Sequence, residues 1–520
     1  MPAHHSPAPP SVIQLNPADN VAVAAKTLAR GEKFAFPGGS LTAAGEVRFG
    51  HKVALTAISA GEPVFKYGQV IGYASKPIEP GQPVHSHNLH LGELHLDYAR
   101  ASQTPPPPTP ITGRTFDGYR RADGRAGTRN YIAVISTVNC SASVAKYVAH
   151  AFDQSRLANF PNIDGIVPFT HQSGCGMQFG GDAHNTLNRV MAGIARHPNI
   201  GGYLLIGLGC ETGAMGYLVQ RERLIQLDGG DSQPEGAPLI LSMQDQGGTA
   251  KTIEAGVARL VEMLPRVNDV RRQPIPASEI VLATECGGSD AYSGVTANPA
   301  VGAAADRIVA AGGISILSET SEIYGAEHLL TRRATSVEVA DKLIERIEWW
   351  KRYVAMFGVE LDNNPSPGNK EGGLTTIAEK SLGAVAKAGS TALVDVLQYA
   401  EAPTKRGMMV MDTPGYDPAS VTGMVAGGAN VVVFTTGRGS CFGCKPAPSI
   451  KIATNTPMYQ RMVDDMDINA GEILSGVSVD AMGEKIFEEI LAVASGKPTK
   501  SEALGIGEEE FVPWLVGPTL

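Results

Sequence analysis

The sequence lacks the features that mark several large classes of protein. No apolar run is long enough to cross a bilayer, and the first ten residues have neither the basic nor the apolar region of a secretion signal. Basic residues number 43 against 52 acidic ones, and they form no basic cluster. We therefore expect a cytoplasmic protein that binds neither nucleic acid nor a membrane.

Cysteines are also few, and the familiar cysteine and glycine motifs are missing. Six cysteines in 520 residues do not make a disulfide scaffold, and only Cys441 and Cys444 have CxxC spacing, without a thioredoxin-like context. The glycines around Gly207 miss the GxGxxG spacing by one residue, and no GxxxxGK[ST] loop is present. These absences argue against a nicotinamide oxidoreductase.

The pattern of predicted secondary structure changes at a proline-rich stretch. Upstream, short strand-like segments alternate with Gly- and Pro-containing turns, which is typical of a compact β-module. Thr104–Pro110 (TPPPPTP) has the composition of a semi-rigid spacer. We therefore place a β-module at residues 1–103 and a linker at 104–116. The predicted strands of the module are Val21–Ala25, Lys52–Ala57, Pro63–Lys66 and Val70–Ala74.

Downstream of the linker, apolar runs alternate with amphipathic segments of helical period. Lys251–Leu264 and Glu338–Ala355 each carry their apolar residues on one face. This alternation predicts α/β architecture with mostly parallel sheets. A charged, proline-containing break at Arg266–Ala277 divides this part of the chain into two α/β domains, at residues 117–272 and 273–520.

Four of the six cysteines occupy the same kind of position. Each closes a short apolar run that is typical of a buried strand in a parallel sheet. Ligands of such sheets bind outside the carboxyl ends of the strands, so four thiols could meet there and hold a redox-sensitive metal, iron above all. The alternative is four small, buried, apolar side chains. The four residues are Cys140, Cys175, Cys210 and Cys286.

Titratable residues accompany these cysteines. His171, Glu211 and Asp290 each lie within four residues of one of them, which makes these side chains candidate ligands or proton carriers. In the β-module, His85 and His87 would share one face of an extended chain and could bind the same metal or anion. The alternatives are a satisfied histidine, solvated or capping carboxylates, and an exposed polar edge strand.

Two polar, glycine-rich segments in the C-terminal part are suited to bind a carboxylate. Asn364–Gly373 contains Lys370, and Phe434–Lys451 contains Arg438 and Lys451. Backbone N–H groups in such loops, together with a cation, favour an anionic ligand. Ordinary surface loops are the alternative.

Several long segments resemble the altronate/galactarate dehydratase family. The β-module is similar to the SAF (β-clip) domain of the same enzymes, in Gly50–Leu55 and Tyr67–Tyr73. One departure is Ser440–Gly443, where the family often has TPYG after the GRG. The resemblance implies a small N-terminal SAF-like domain followed by two α/β domains. The other segments that carry it are Gly118–Asn130, Gly207–Glu211, Glu285–Ala303, Asn364–Gly373, Phe434–Gly439, Ile450–Asn455 and Asp467–Gly471.

The resemblance also implies a hydro-lyase that converts a sugar acid to a 2-keto-3-deoxy acid with ferrous iron, or sometimes manganese. The stretches His85–Asn88 and Ile323–Leu330 look closer to altronate dehydratases, whereas Ala402–Gly407 is similar to the galactarate group. We expect D-altronate as the substrate, giving 2-dehydro-3-deoxy-D-gluconate, with galactarate as the alternative. A sugar-acid binding protein without chemistry is a further alternative. We also expect a homodimer.

The expected mechanism divides the work between a metal and protein side chains. Enolase-type sites stabilise the dianion formed by loss of an α-proton with a divalent metal and a positioned base. We expect Fe²⁺, or Mn²⁺, on some of the four cysteines with help from His85 or His87; an iron–sulfur cluster is the alternative. His171, Glu211 and Asp290 are the expected catalytic residues. The expected substrate-binding residues are Arg438, Lys451, Lys370 and Asn298.

Overall fold

A computed structural model describes residues 10–213, 215–224 and 239–516 of the chain. Its N-terminal part is built from short strands in small antiparallel sheets, in the orders β1-β2-β5-β8, β3-β4 and β6-β7-β9. The four predicted strands of the module are confirmed with shifted ends: the first ends at Ala24 rather than Ala25, the second at Ala54 rather than Ala57, and the last begins at Gln69 rather than Val70. The strands are β1 (Val12–Ile13), β2 (Val21–Ala24), β3 (Lys33–Phe36), β4 (Gly39–Thr42), β5 (Lys52–Ala54), β6 (Pro63–Lys66), β7 (Gln69–Ala74), β8 (Pro83–Val84) and β9 (Leu89–His90).

The proline-rich segment has no regular secondary structure, but it is attached to the C-terminal part of the chain. Thr104 donates its hydroxyl hydrogen to the carbonyl of Ala334 at 2.6 Å. The Ile111 amide donates to the carbonyl of Ala310 at 2.9 Å. The linker therefore lies along the surface of the protein.

The second domain is centred on a parallel sheet in the order β13-β12-β14-β15. Its strands are β10 (Thr115–Arg120), β11 (Ala126–Gly127), β12 (Tyr131–Ser136), β13 (Gly165–Phe169), β14 (Ile200–Gly207) and β15 (Leu239–Ser242). Its helices are α1 (Ala142–His150), α2 (Gln154–Leu157), α3 (Asp182–Ala195), α4 (Met215–Glu222), α5 (Met243–Gln246) and α6 (Thr249–Asn268). The last of these contains the predicted helical segment Lys251–Leu264 and continues beyond it.

The C-terminal domain is built around a seven-stranded parallel sheet in the order β19-β20-β18-β17-β21-β22-β23. Its strands are β16 (Gln273–Pro276), β17 (Val281–Cys286), β18 (Ile314–Leu317), β19 (Leu393–Leu397), β20 (Gly407–Met411), β21 (Val431–Thr436), β22 (Ser449–Ala453) and β23 (Ile468–Asn469). Its helices are α7 (Ala297–Ala310), α8 (His328–Thr331), α9 (Val337–Ala355), α10 (Pro367–Glu371), α11 (Ile377–Ala384), α12 (Asp417–Ala426), α13 (Thr456–Arg461), α14 (Val479–Ala494) and α15 (Lys500–Ala503). Short 3₁₀ helices occur at Asn139–Ser141, Ala277–Glu279, Thr320–Glu322, Leu361–Asn363, Val385–Ala388 and Ala470–Ser475.

The predicted fold class, a SAF-like β-module followed by α/β regions with parallel sheets, is confirmed. All residues of β20 and β21 are buried, as expected for parallel strands that helices cover on both faces. β10 pairs with both β11 and β16 in an antiparallel sheet that links the two α/β regions. Among the described residues, no helix is both long and apolar enough to cross a membrane.

The seven-stranded sheet changes direction at β17, its central strand. From β17 the chain first builds β18, β19 and β20 on one side and then returns to add β21, β22 and β23 on the other. In open α/β sheets, ligands bind outside the carboxyl ends of the strands at such a switch point. The residues that follow β17, β18 and β20 are therefore candidates for a ligand site.

Buried charges join the N-terminal module to the C-terminal domain. Lys52 in β5 and Lys66 in β6 both donate to the Glu379 carboxylate in α11, at 2.8 Å in each case. All three side chains are at most 1% exposed. We refer to Lys52, Lys66 and Glu379 as the interdomain triad.

Candidate active site

The carboxyl ends of β17 and β18 meet a buried group of acids, lysines and one thiol. Glu285 and Cys286 are the last residues of β17, and Glu319 lies two residues beyond β18. Asp417 is the first residue of α12, the helix that follows β20. We call this group, with three further residues from the 3₁₀ helices and α11, the acid–lysine cluster. The further residues are Glu322, Lys380 and Lys387.

Two lysines hold the cluster together. Lys387 donates to the Glu319 carboxylate at 2.5 Å and to the Cys286 sulfur at 2.8 Å. Lys380 donates to the Glu322 carboxylate at 2.7 Å. Lysine ammonium groups that are buried in this way need compensating charge, which these carboxylates supply.

The cluster nevertheless contains hydrogen-bonding capacity that the described residues leave unused. Glu285 Oε1 and Glu322 Oε2 are buried and have no hydrogen-bond partner among the described residues. Buried polar atoms are normally hydrogen-bonded, and exceptions at functional sites mark places where a ligand, ion or water binds. These two oxygens are therefore available to an ion or a substrate.

Glu319 also has an unusual backbone. Its φ of 62° and ψ of 57° lie in the left-handed region, which costs free energy for a residue with a side chain. Its amide donates to the Thr413 hydroxyl at 2.7 Å, which fixes the turn against the loop that follows β20. The strained turn places the Glu319 carboxylate between Lys387 and Cys286.

The carboxyl groups of the acid–lysine cluster differ in pKa, some being raised and one lowered. Burial and the neighbouring Glu319 carboxylate raise the pKa of Glu285 well above its usual value. Burial and the same neighbour raise the pKa of Asp417 to about 7. Burial opposes ionisation of Glu319 too, but the ammonium groups of Lys387 and Lys380 hold its pKa below the usual value. At neutral pH the cluster therefore holds ionised and protonated carboxyl groups side by side.

The donor set of the cluster fits a divalent cation. Ligand atoms of Cys286, Glu319 and Glu322 lie within 4.8 Å of one another, as do those of Glu285, Glu319 and Asp417. Carboxylates suit Mn²⁺, and a thiolate beside them shifts the preference towards Fe²⁺. Ligand protons must leave when a cation binds, so its affinity would rise with pH.

A surface cavity of about 580 Å³ lies beside the cluster, between the N-terminal and C-terminal domains. Asn364 connects the two, because its neighbours Asn363 and Pro365 line the cavity and its own amide donates to Glu322 at 2.7 Å. Basic residues of both domains, Arg48 and Lys370, also line this cavity. It therefore offers cationic groups next to the acid–lysine cluster.

Two stacked histidines form another wall of the cavity. The rings of His51 and His85 lie 5.0 Å apart, centroid to centroid. His85 Nε2 donates to the Lys370 carbonyl at 2.9 Å, and His51 Nε2 donates to the Glu371 carbonyl at 3.1 Å. Burial and nearby Lys52 lower the pKa of His85 to about 4, so its ring is neutral at pH 7. The histidines bind the two domains together as neutral donors.

The structure does not bring the four predicted cysteines into one pocket. Cys140, Cys175 and Cys210 follow the adjacent strands β12, β13 and β14, and all three are exposed. Cys286 belongs to the other parallel sheet, where it is buried in the acid–lysine cluster. The strand-end positions were predicted correctly, but they divide between two sheets.

The three predicted catalytic residues are not in the acid–lysine cluster. Both ring nitrogens of His171 bond to the backbone, at the Ser136 carbonyl and the Ser173 amide, and burial lowers its pKa to about 4. Glu211 accepts from the Thr137 hydroxyl at 2.8 Å and the Gly209 amide at 2.7 Å. These bonds give His171 and Glu211 the geometry of side chains that fix loops.

Asp290, four residues beyond Cys286 in the chain, is well bonded. Its carboxylate accepts from Thr454, from Asn455 and from the amides of Tyr292 and Ser293. Burial still raises its pKa. Asp290 therefore connects the loop after β17 to the loop after β22.

Of the predicted substrate-binding residues, Lys370 lines the cavity, and Arg438 pairs with the cavity residue Glu371 at 3.1 Å. The other two are buried within the fold. Lys451 donates to the Phe442 carbonyl at 3.0 Å. Asn298 bonds to the Gly383 carbonyl and the Thr435 hydroxyl.

The two histidines predicted to share a face lie in a turn rather than in an extended strand. His85 and Asn88 close the turn with two bonds of 2.9 Å each, one from each backbone amide. His85 points to the cavity, as described above, whereas His87 is exposed. The geometric argument for a shared face was wrong at this segment because two residues two apart in a turn do not point the same way.

The sequence analysis missed six members of the cluster, and one of them is Glu285, the neighbour of Cys286 at the end of β17. Glu319 could have been found, because it follows the apolar run of β18 just as Cys286 ends that of β17. Asp417 likewise follows β20 after a short loop. No local signal marks the other three, which come from helices and turns far along the chain. They are Glu322, Lys380 and Lys387.

Sequence comparison covers nearly the whole chain. Residues 10–92 match the altronate/galactarate dehydratase SAF domain, 118–268 the second domain of D-galactarate dehydratase/altronate hydrolase, and 277–519 the C-terminal domain of D-galactarate/altronate dehydratase. Galactarate dehydratase (L-threo-forming) of Escherichia coli (strain K12) is 41% identical over 493 residues, 93% of each chain.

Two altronate dehydratases are also similar. The enzyme of Bacillus subtilis (strain 168) is 34% identical over 95% of this chain and 96% of its own. That of Escherichia coli (strain K12) is 35% identical over 94% and 96%. The matches therefore place this chain in the altronate/galactarate dehydratase family, as a hydro-lyase.

Proposed function

We propose that this enzyme removes water from a six-carbon sugar acid and that the acid–lysine cluster is the place of the reaction. The observation that carries the proposal is the burial of two lysines among carboxyl groups at the switch point of the sheet, where two carboxylate oxygens have no partner in the part of the chain that the structure describes. Such a site can compensate a substrate carboxylate and also move protons. Both tasks are needed to eliminate water next to a carboxylate.

In the proposed reaction, the hydrogen on the carbon next to the carboxylate leaves as a proton to an ionised carboxylate of the cluster, and the hydroxyl on the following carbon takes up a proton and departs as water. The ammonium groups of Lys380 and Lys387 offset the negative charge that develops on the substrate carboxylate. Asp417 is the proposed acid that donates its proton to the departing hydroxyl, because a group with a pKa of about 7 holds a proton yet can release it. Glu319 positions Lys387.

We further propose that Cys286, Glu319 and Glu322 hold a divalent cation, Fe²⁺ or alternatively Mn²⁺. The proposal is supported by their ligand spacing and by the free oxygen of Glu322. When bound, the cation would supply Lewis-acid stabilisation of the substrate carboxylate. The lysines and the protonated carboxyls would adjust to its charge by losing protons.

For the substrate, we propose galactarate first and D-altronate second. The higher identity to a galactarate dehydratase supports a hexarate. So does the cavity lined by Arg48 and Lys370, since a hexarate has a second carboxylate that these cations can bind. D-Altronate is supported by the sequence segments His85–Asn88 and Ile323–Leu330.

The test is a keto-acid assay under anaerobic conditions with Fe²⁺, comparing galactarate with D-altronate. Glu319→Gln should lose nearly all activity. The exposed Glu262→Gln is its matched control, since this residue lies in α6 and pairs with Arg259 on the surface. Equal activity of the two variants would refute the role of the cluster.

Arg48→Gln tests the substrate assignment. It should raise the KM for galactarate and leave that for D-altronate little changed, whereas Arg259→Gln on the surface of the second domain should change neither. Equal increases for both substrates would contradict the binding of a second carboxylate. The expected homodimer is a separate prediction, which light scattering on the purified protein would check.

A further inference from the structure

The three cysteines of the second domain are unusual because all of them are exposed. Free cysteine is among the most buried residue types, and an exposed thiol is open to oxidation. Cys286 and Cys444 follow the usual pattern and are buried. Cys140, Cys175 and Cys210 follow three strands that are neighbours in one parallel sheet.

Hydrogen bonds hold the three cysteine-bearing loops against one another. The Asn139 amide, next to Cys140, donates to the Ser173 carbonyl at 2.8 Å. The Thr212 amide, in the loop of Cys210, donates to the Gly174 carbonyl at 3.1 Å. The loop of Cys175 therefore contacts both of the others.

The contact between two of these loops leaves no room for a side chain. Gly174 has a φ of +95°, and a Cβ added to it would lie 2.5 Å from the Thr137 carbonyl oxygen. Glu211 ties the third loop to the first, since its carboxylate accepts from both Thr137 and Gly209. The sequence thus fixes all three loops, which is what a preformed site requires.

The spacing of the thiols argues against a single metal ion. In a tetrahedral site with bonds of about 2.3 Å, the sulfurs lie about 3.8 Å apart. Among the described residues, Cys140, Cys175 and Cys210 do not form a group whose ligand atoms are all within 4.8 Å. Thiolates that bind different irons of one cluster are farther apart than that. At least two of these sulfurs are therefore too far apart to share a single ion as they stand, which leaves room for a ligand with several metal atoms.

Several polar side chains near the three cysteine-bearing loops already form hydrogen bonds within the protein. Both nitrogens of His171 contact the backbone, and those of His184 contact the Gly180 amide and the Asn188 side chain. The Glu211 carboxylate is used within the loops, as described above. Gln244 Nε2 donates to the Cys210 sulfur at 3.6 Å, the kind of bond that stabilises a thiolate. The three sulfurs are thus donors that this edge leaves available to a metal.

We propose that Cys140, Cys175 and Cys210 bind an iron–sulfur cluster of the [4Fe–4S] class through three thiolates. One iron of such a cluster has no protein ligand and is open to an oxygen ligand. This site belongs to the second domain and is separate from the acid–lysine cluster, so it stands or falls independently of the function proposed for that cluster.

The test begins with the full-length protein, purified without oxygen and reconstituted with Fe²⁺ and sulfide. It should contain about four irons and four acid-labile sulfides per chain and show the broad visible absorbance of an iron–sulfur cluster. Iron without labile sulfide, or zinc in its place, would overturn the proposal. This measurement on the unaltered chain needs no variant to fold.

Single variants then locate the cluster. Cys140→Ser, Cys175→Ser and Cys210→Ser should each lose the absorbance and most of the sulfide while keeping the circular dichroism of the parent. Cys441→Ser, which removes another exposed thiol, and Cys286→Ser, which alters the acid–lysine cluster, should keep both. Full sulfide content in the Cys140→Ser and Cys210→Ser variants, or its loss in Cys441→Ser, would place the cluster elsewhere and contradict the assignment.

Discussion

Replacement of Lys387 by methionine is the most direct test of how the acid–lysine cluster is held together. Methionine has a similar length and no charge, so the change removes the ammonium group and little volume. Lys387 is 0% exposed and its partner Glu319 is 1% exposed, with 2.5 Å between the charged atoms. Removing one partner of a buried pair costs about 3–5 kcal/mol, because it leaves the other charge uncompensated. A Coulomb estimate at this 2.5 Å separation and an effective dielectric constant of about 20 gives roughly 7 kcal/mol, which is of the same order.

The double variant supplies the control. Glu319→Gln removes the carboxylate that Lys387→Met leaves buried without a partner. The double variant Lys387→Met/Glu319→Gln should therefore recover most of the stability that Lys387→Met loses. For a domain of this size, the single variant should lower the thermal midpoint by roughly 6 to 20 °C. Differential scanning calorimetry measures both variants.

The pH dependence of this effect has a definite sign. Because Lys387 lowers the pKa of Glu319, the pair stabilises the folded protein fully above the usual carboxyl pKa of about 4.3. That contribution is lost as the pH falls through the lowered value. The reasoning is refuted if Lys387→Met has the midpoint of the parent at pH 7, or if the double variant is less stable than either single variant.

Three further outcomes are expected. Asp417→Asn should lower kcat by about 10²-fold or more; in the parent, activity should fall as the pH rises through about 7, where Asp417 loses its proton, and a pH profile unchanged in the variant would exclude Asp417 as the acid. Treatment with a chelator should abolish turnover and added Fe²⁺ or Mn²⁺ should restore it, whereas full turnover of protein shown to be metal-free would rule out the proposed cation. Glu379→Gln should destabilise the protein by about 3–5 kcal/mol, since it strands two buried lysines; a calorimetric midpoint equal to that of the parent would show that Lys52 and Lys66 find other compensation.

The fold was predictable because its signals are local. Alternation of apolar runs with amphipathic segments indicated parallel sheets, and short strands separated by glycine turns indicated the β-module. The helix predicted at Glu338–Ala355 begins one residue earlier, after the capping residue Ser336. Each of these features depends on neighbours in the sequence.

The candidate site was only partly predictable, because its geometry depends on how strands are ordered in space. The rule that ligands bind at strand ends led correctly to Cys286, but it does not say which strands share a sheet. Lys380 and Lys387 reach the cluster from elements with no distinctive pattern. His171 was expected to be reactive because of its residue type, yet one of its nitrogens bonds to the Ser136 carbonyl at the end of β12 and the other to the Ser173 amide in its own loop.

The interdomain triad means that the N-terminal module cannot be treated as a removable attachment. Without β5 and β6, Glu379 would keep its negative charge beneath a newly wetted apolar surface that includes Leu317 and Ile323. The same cut would take away His51 and His85 and so open one side of the cavity. Any shortened form of this enzyme must therefore be supplied with the missing piece as a separate polypeptide that restores the two ammonium groups.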